Sequence, residues 1–361
     1  MASQRRVALL SESSRSDGRG VLRGIGTYAR AHGHWALGHH EMPYDDAPPN
    51  WLKNWRGDGV IARIETKETA QALRRLKLPT VDVRCRRKLK GIPHVETDDR
   101  MVVELAVEHL RERGLRQFAY CGFEGANYSA RRLKFLRETL EREGIELFVY
   151  ESPGPENPTT SGAELLGMLD ETGVTNWLQS LPKPIGLLAS NDIRAQHVLI
   201  ACQNAEMRVP DEIAVIGVDD DDVICPLCDP PLSSVEPDTE QVGYEAASLL
   251  ESMMDGEPAP SEPTFVPPRA VVARRSTESW AMDDEAIARA CQFARDSISM
   301  GINVKDVVRA SGISRRALER RMVKALNKTP HELIASFRLQ RLKQLLDDTN
   351  LPLQQVAALG L

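Results

Sequence analysis

The sequence predicts a two-lobed α/β domain over residues 1–277 followed by an all-α helix-turn-helix domain over residues 278–361. Three observations carry this. As far as about residue 275, short apolar runs alternate with stretches of helical period, the pattern of βαβ units around a mainly parallel sheet. The segment 256–268, GEPAPSEPTFVPP, then holds five prolines, and no helix or central strand runs through such a stretch. Beyond it the period is helical throughout and the charge changes sign. Residues 301–361 carry eleven Lys/Arg against five acids; of the chain's 46 basic and 52 acidic side chains, 35 and 47 fall in the preceding 300 residues. At 361 residues the chain exceeds what one hydrophobic core supports, which implies at least two domains.

Within the first domain, apolar runs predict strands at 7–10, 35–37, 59–64, 80–83, 117–121, 146–150, 185–189 and 213–218. Helical periodicity predicts helices at 19–31, 67–76, 99–113, 130–143, 163–181, 192–205 and 239–254. These are too many strands for one small sheet, so two successive lobes are expected, with a last strand at 271–274 after the proline-rich connector. A helix N-cap at Asp283 or Asp284 opens the second domain.

In that domain Val304, Val307 and Val308 share a helix face, and Ser311-Gly312 ends the helix, glycine permitting the left-handed turn. Ser314 caps the next helix, whose apolar stripe is Leu318, Met322 and Leu326. Helix, tight turn and capped helix make a helix-turn-helix. Opposite the stripe project Arg315, Arg316, Glu319 and Arg320, near the end that meets base edges in the major groove. Arginine forks suit guanine, Glu319 suits the cytosine amino group, and Lys324 and Lys328 suit phosphates. A solvated basic face on a helical bundle is the plainer alternative. A longer helix follows from Pro330 at its first position, then a short one at 353–359.

Several function classes are excluded by composition and motif. No segment approaches the roughly 20 apolar residues of a membrane span, and the apolar run at 7–10 is too short for a signal peptide, which points to the cytoplasm. Six cysteines without an export signal predict reduced thiols, and the lone Cys225-Pro-Leu-Cys228 lacks the second pair or the histidines of a zinc site. GxSxG, a Walker A loop, HExxH and a dinucleotide fingerprint are all missing from the sequence, so no enzyme and no cofactor is expected. A sugar-binding component of transport is the first rival reading and an α/β sugar-modifying enzyme the second.

Ligands of open α/β sheets lie at the carboxyl ends of strands. The segments after three strands supply candidates: Ser13, Ser14, Asp17 and Arg19; Asn191, Asp192 and Arg194; and the run Asp219 to Asp222. Carboxylates and guanidiniums that converge suit a polyhydroxylated ligand, since each bridges adjacent hydroxyls. Tyr128 supplies an aromatic face for a sugar ring. Each has a plainer reading beside it: Asp192 as a helix cap, the aspartate run as a solvated turn, Arg19 paired with Asp17 at the surface.

Two family resemblances emerge from longer stretches. INVKDVVRASGISRRALERRMVKALNKTPHELIASFRLQRLKQLLDDTNLPLQQVA resembles the DNA-binding domain of AraC/XylS-family transcription regulators through its GIS turn, LERRM segment and TPHELI helix start. Met322 stands where that family usually has phenylalanine. The sequence ends at Leu361 inside the family's second helix-turn-helix, so this domain is expected to be C-terminally incomplete and to read one major groove per chain. RVALLSESSRSDGRGVLRGIGTYAR, GLLASNDIRAQHVL, VPDEIAVIGVDDDD and LSSVEPDTEQVGYEAASLL resemble the periplasmic-binding-protein-like sensor of LacI/GalR regulators. That resemblance places Asp192, Arg194 and Asp219 on sugar-binding positions, with Ser13, Arg19 and Tyr128 as further candidates from the residues themselves. Together, and in this order, the resemblances imply a bacterial transcription regulator, a homodimer on promoter DNA, probing the cell for a small sugar effector, a pentose such as D-xylose, with no membrane partner.

Overall fold

The computed structural model describes residues 4–41, 48–84, 86, 89–153, 160–278, 284–326, 328–348 and 355. Apart from residue 355, the expected helix at 353–359 lies outside the described residues, as does the cap candidate Asp283. The chain divides into two compact units, Met1–Glu278 and Ser279–Leu361.

The first unit opens with β1 (Arg5–Leu10), α1 (Ser16–His32), β2 (Trp35–His40), β3 (Gly59–Ala62), α2 (Lys67–Leu76) and β4 (Thr80–Asp82). The strands form a parallel sheet in the order β2-β1-β3-β4. β3 is buried along its whole length, as expected of a parallel strand covered on both faces. β5 (Val95–Thr97) then leads to α3 (Asp99–Glu112), β6 (Phe118–Phe123), α4 (Asn127–Glu141), β7 (Leu147–Ser152), α5 (Thr160–Leu169), α6 (Glu171–Ser180), β8 (Ile185–Ala189), α7 (Asp192–Asn204), β9 (Ile213–Val218), α8 (Ile224–Leu227) and β10 (Ser233–Glu236). After α9 (Thr239–Met254) and β11 (Thr264–Val266), β12 (Ala270–Val272) completes a second sheet in the order β12-β10-β9-β8-β6-β7. Among the described residues only β12 runs antiparallel within it.

The lobes are not successive, contrary to the sequence-based expectation. α9 returns to the first lobe, where Val242, Ala246 and Leu250 share a core with Val7, Leu9 and Ile25. β11 pairs with β5 in a two-stranded link, and β12 takes the chain back to the second sheet. Three chain segments therefore join the lobes, a geometry suited to hinged opening. Glycines permit α9 to dock: a Cβ at Gly24 of α1 would stand 1.9 Å from the carbonyl oxygen of Glu240, and one at Gly243 would stand 2.1 Å from that of Val21. The single helix expected at 163–181 is two helices, parted at Asp170, whose carboxylate accepts a 2.7 Å bond from the Tyr150 hydroxyl.

The second unit holds α10 (Glu285–Asp296), α11 (Val304–Ser311), α12 (Arg315–Leu326) and α13 (Pro330–Asp348). Asp284 caps α10, accepting from the backbone N–H of Ala286 at 3.1 Å. Asn303 and Asp306 form a capping box at the start of α11. Ile287, Val307, Leu318, Met322, Leu333 and Phe337 draw one core from all four helices.

Candidate functional site

Two features stand out: a cleft between the lobes of the first unit, and the exposed face of α12 in the second.

The cleft is built from strand ends. From the first lobe come Arg15, Ser16 and Asp17 after β1, Arg63 after β3 and Arg84 after β4; from the second come Tyr128 and Arg132 on α4, Glu164 on α5, Asn191 and Asp192 after β8, and Asp219 and Asp221 after β9. Together they surround about 450 Å³ of empty space, solvent at the mouth included. Its place outside the carboxyl ends of the strands is where α/β sheets bind ligands.

The lining is a network of charged hydrogen bonds. Arg63 donates to Asp17 Oδ2 at 2.7 Å and to Glu65 Oε1 at 3.0 Å, and Arg86 donates to Glu65 Oε2 at 3.0 Å. Burial alone would raise the Glu65 carboxyl; the charges of Arg63 and Arg84 outweigh it and hold the group at about 2. Asp17 is likewise lowered against its burial by Arg63 and Arg84. Arg132 donates to Asp99 Oδ1 at 2.8 Å and to the Ser190 carbonyl.

Ion pairs cross between the lobes. Arg15 reaches Glu164 Oε2 at 2.6 Å, and Arg19 reaches Asp222 Oδ1 at 2.9 Å. Glu164 Oε1 also accepts from the Tyr128 hydroxyl at 3.2 Å and from Asn191 Nδ2 at 3.1 Å. Burial raises the Glu164 carboxyl despite the nearby arginines.

The expected ligand residues fare unequally. Asp192 lines the cleft and is nearly inaccessible; its carboxylate accepts from Ser234 Oγ at 2.6 Å, the Asp221 backbone N–H at 2.8 Å and Cys225 Sγ at 3.2 Å. Burial pushes it up to about 7. It is not the helix cap, since Asn191 fills that position by accepting from the Arg194 backbone N–H at 2.9 Å. Asp219 lines the cleft at a positive φ of 116°, a conformation costly for a residue with a Cβ and most often met at functional sites. Burial raises its carboxyl well above the ordinary range; Arg132 opposes that rise and Asp192 adds to it. Tyr128 lines the cleft at 4% exposure, but guanidiniums cover its ring: Arg84 lies 4.8 Å and Arg132 5.4 Å from the ring centre.

Arg194 does not line this cleft. It is fully buried behind the cleft, donating to the Gly167 carbonyl at 3.0 Å and to Ser152 Oγ, with its guanidinium 5.0 Å from the Phe123 ring centre. Ser13 also lies outside the lining, bonded to Glu41 through its N–H at 2.8 Å and its hydroxyl at 2.7 Å. Arg19 belongs to the rim, and its partner is Asp222 instead of Asp17. The aspartate run is no simple solvated turn: Asp220 pairs with Arg274 at 2.7 Å, and Asp221 accepts from the N–H groups of Val223 and Ile224, each at 2.9 Å, starting α8. Arg15, Arg63, Arg84, Arg132 and Glu164 were not singled out from the sequence. The rule that ligands follow strands applies to Arg15, Arg63 and Arg84, whereas Arg132 and Glu164 sit inside helices and give no such signal. Among the described residues no His, Cys, Asp or Glu cluster could hold a metal ion.

In the second unit, Gly312 takes the left-handed conformation at φ 72° that ends α11, and the Ser314 hydroxyl accepts from the Ala317 N–H at 3.4 Å. Leu318 and Met322 are fully buried, which leaves Ser314, Arg315, Arg316, Arg320 and Lys324 exposed on the far side and Glu319 and Lys328 half-buried. Arg315 Nε donates to Glu319 Oε1 at 2.8 Å, and Arg321 turns away to Asp284 at 3.2 Å. The four positions at the start of α12 thus form one unobstructed, mostly cationic face, the equipment of a helix that enters a major groove.

Comparison with known proteins gives these features a family. Residues 6–100 match a family model described as the XylR N-terminal domain, residues 107–277 a periplasmic binding protein-like domain, and residues 307–359 a helix-turn-helix domain. The xylose operon regulatory protein of Escherichia coli K12 is 32% identical over 362 residues, spanning 98% of this chain and 90% of the relative. That of Haemophilus influenzae is 31% identical, spanning 97% and 90%. The solved structure of a xylose-binding transcription activator superposes with a TM-score of 0.74 at 30% identity, over 99% of this chain and 92% of that one. A LacI family regulator from Enterococcus faecium, solved with bound ribose, shares the fold alone, with a TM-score of 0.59 at 18% identity over 75% of this chain and 97% of that one. The chain therefore belongs to the family of xylose operon regulatory proteins, sugar-responsive transcription regulators with a periplasmic-binding-protein-like domain and a helix-turn-helix domain.

Proposed function

We propose that the first unit binds a pentose, D-xylose before others, in the interlobe cleft, and that the second grips promoter DNA of pentose-utilisation genes through α12, the protein acting in the cytoplasm as a homodimeric activator. The observation that carries this reading is the convergence of carboxylates, guanidiniums and one aromatic ring from the strand ends of both lobes on a single cleft. Asp192, Asp219 and Asn191 serve as acceptors and donors for adjacent hydroxyls from one side, and Arg15 and Arg84 as donors from the other. A ligand that touches both walls binds the closed arrangement better than an open one, and only that difference in affinity can shift the balance between them. The same shift, passed to the DNA-binding unit, makes regulation depend on sugar.

On α12, Arg316 and Arg320 take base edges, Arg315 and Glu319 act as a preset pair, and Ser314, Lys324 and Lys328 take phosphates. No catalytic role is assigned to any residue, and the basic recognition helix favours a regulator over a transport component. Titration calorimetry against pentoses and hexoses tests the sensor: D-xylose is expected to bind with one site per chain. Asp192→Ala is expected to abolish the sugar-induced rise in melting temperature, and an unaltered rise would remove Asp192 from the site.

A further inference from the structure

Arg15 and Arg19 stand one helical turn apart at the start of α1, and both reach across to the second lobe. Their contacts differ in weight. Arg19 meets Asp222 at 2.9 Å, but the aspartate is exposed, so water and salt screen the pair. Arg15 meets Glu164 Oε2 at 2.6 Å, and the glutamate side chain is only 7% exposed. Both of these residues line the cleft, one from each lobe, so their pair is a bridge across the cleft itself.

Glu164 is held by three donors. Besides Arg15, its carboxylate accepts from the Tyr128 hydroxyl at 3.2 Å and from Asn191 Nδ2 at 3.1 Å, both buried groups of the second lobe. A carboxylate has about four lone-pair sites, so this one has little left to accept from a ligand hydroxyl. The sugar edge that suits the bridge is therefore one without a hydroxyl. A pentopyranose has such an edge at its C5 methylene, the one ring carbon that carries no oxygen substituent outside the ring. In a hexopyranose the same carbon bears a hydroxymethyl group, and that group would collide with the bridge.

We propose that the Arg15–Glu164 bridge is the gate that restricts the cleft to pentoses: a pentose fits with its C5 edge against the intact pair, whereas a hexose has to break the pair to be held. This rests on the reading of the cleft as a sugar site and names the residues that set the size of the sugar. The discrimination comes from a cost imposed on the larger ligand, not from an added contact to the smaller one. That cost falls mainly on Glu164, because a buried carboxylate parted from its charged partner is not rehydrated in exchange.

D-glucose has the hydroxyl configuration of D-xylose and differs from it only by the hydroxymethyl group at C5, so titration calorimetry of the full chain with these two sugars isolates that group. The parent is expected to bind D-glucose about 10- to 100-fold more weakly than D-xylose, the worth of one charge-assisted contact. Glu164→Ala and Arg15→Ala remove the bridge from either side, and each should reduce the ratio to about 3-fold or less; the double variant should reduce it no further, since the two residues act as one unit. Losses of affinity common to both sugars cancel in the ratio. Arg15 is 33% exposed, so its variant carries the test if the Glu164 variant does not fold. Equal binding of the two sugars by the parent overturns the gate and leaves the sugar site standing. A ratio unchanged in the variants, or single effects that simply add in the double variant, overturns the assignment to this pair. Failure of D-xylose to bind the parent would refute the sugar site itself, and the gate with it.

Discussion

Asp17, half-buried in the first turn of α1, and Asp82, buried at the end of β4, have carboxyls driven in opposite directions. Burial works against the Asp17 anion, but Arg63 and Arg84 outweigh it and the group is lowered. Asp82 has only the backbone N–H groups of Ile64 at 3.2 Å and Arg84 at 3.0 Å to set against burial, which pushes it up to about 7. A carboxyl raised on folding contributes stability that is fully present below its unfolded value and is lost as pH rises through about 7. Asp82→Asn should therefore remove part of the fall in melting temperature between about pH 4 and 7, a term of a few kcal/mol at most. Parallel melting curves for the variant and the parent across that window would contradict it. Buried His109, pushed down to about 3, acts in the opposite sense and is untouched by the substitution.

Why some site residues were legible and others not is also a matter of single residues. Asp192 and Asp219 directly follow apolar runs, so the strand rule reaches them. Arg194 follows the same strand, but two residues along a helix is a turn of roughly 200°, and that carries its side chain away from the cleft. Arg63 was absorbed into an expected strand at 59–64 that in fact ends at Ala62. Arg84 was passed over one residue beyond the expected strand at 80–83, because a lone charged residue at a strand end does not announce that it faces a cleft.

At the scale of elements, the closest fit in the first lobe is between α1 and α9. Gly24→Ala forces a methyl against the Glu240 carbonyl, so it should cost about 1–3 kcal/mol or more in denaturant unfolding, well beyond an ordinary helix substitution. A neutral or stabilising result, as helix propensity alone predicts for glycine to alanine, would show that the helices can part. For α12 two substitutions separate the roles of its exposed face. Arg316→Ala should cost about 1–3 kcal/mol at one base position, while Lys328→Ala should weaken all sequences alike and lower the salt slope by about one. Identical sequence profiles for the two variants would refute the division.

α9, α11 and α12 were readable in advance for different reasons. The α9 boundaries follow from an uninterrupted helical period, and those of α11 and α12 from Gly312 and Ser314, whose turn and cap leave little choice of geometry. β5, β10 and β11 were not readable. Each has three or four residues, and Ser233–Glu236 carries a single apolar residue, so pairing with a neighbouring strand and not composition decides its state. The break between α5 and α6 falls at Asp170, where Tyr150 bonds to its carboxylate, a long-range contact that periodicity cannot register.

For the whole molecule, the two-part organisation was written in the charge reversal and the proline-rich segment, because composition is a global property that local errors do not disturb. The interleaving of the lobes was not, since nothing in the sequence of α9 says which sheet it will cover; its small residues only show that it packs closely against something. That interleaving matters for mechanism. Three crossing segments hold the lobes in register, and the Arg15–Glu164 and Arg19–Asp222 pairs close them across the cleft. Arg19–Asp222 is partly exposed, so it adds little to closure and is weakened by salt. A ligand bound to both walls supplies the larger bias.

The central claim is that occupancy of this cleft governs the grip of α12 on DNA, and one measurement addresses it most directly. Fluorescence anisotropy of the full chain on promoter DNA from pentose-utilisation genes, at fixed salt, gives Kd with and without saturating D-xylose. The account predicts a ligand-dependent change in Kd of about 5- to 150-fold. The same Kd in the presence and absence of a ligand shown by calorimetry to fill the cleft would contradict it.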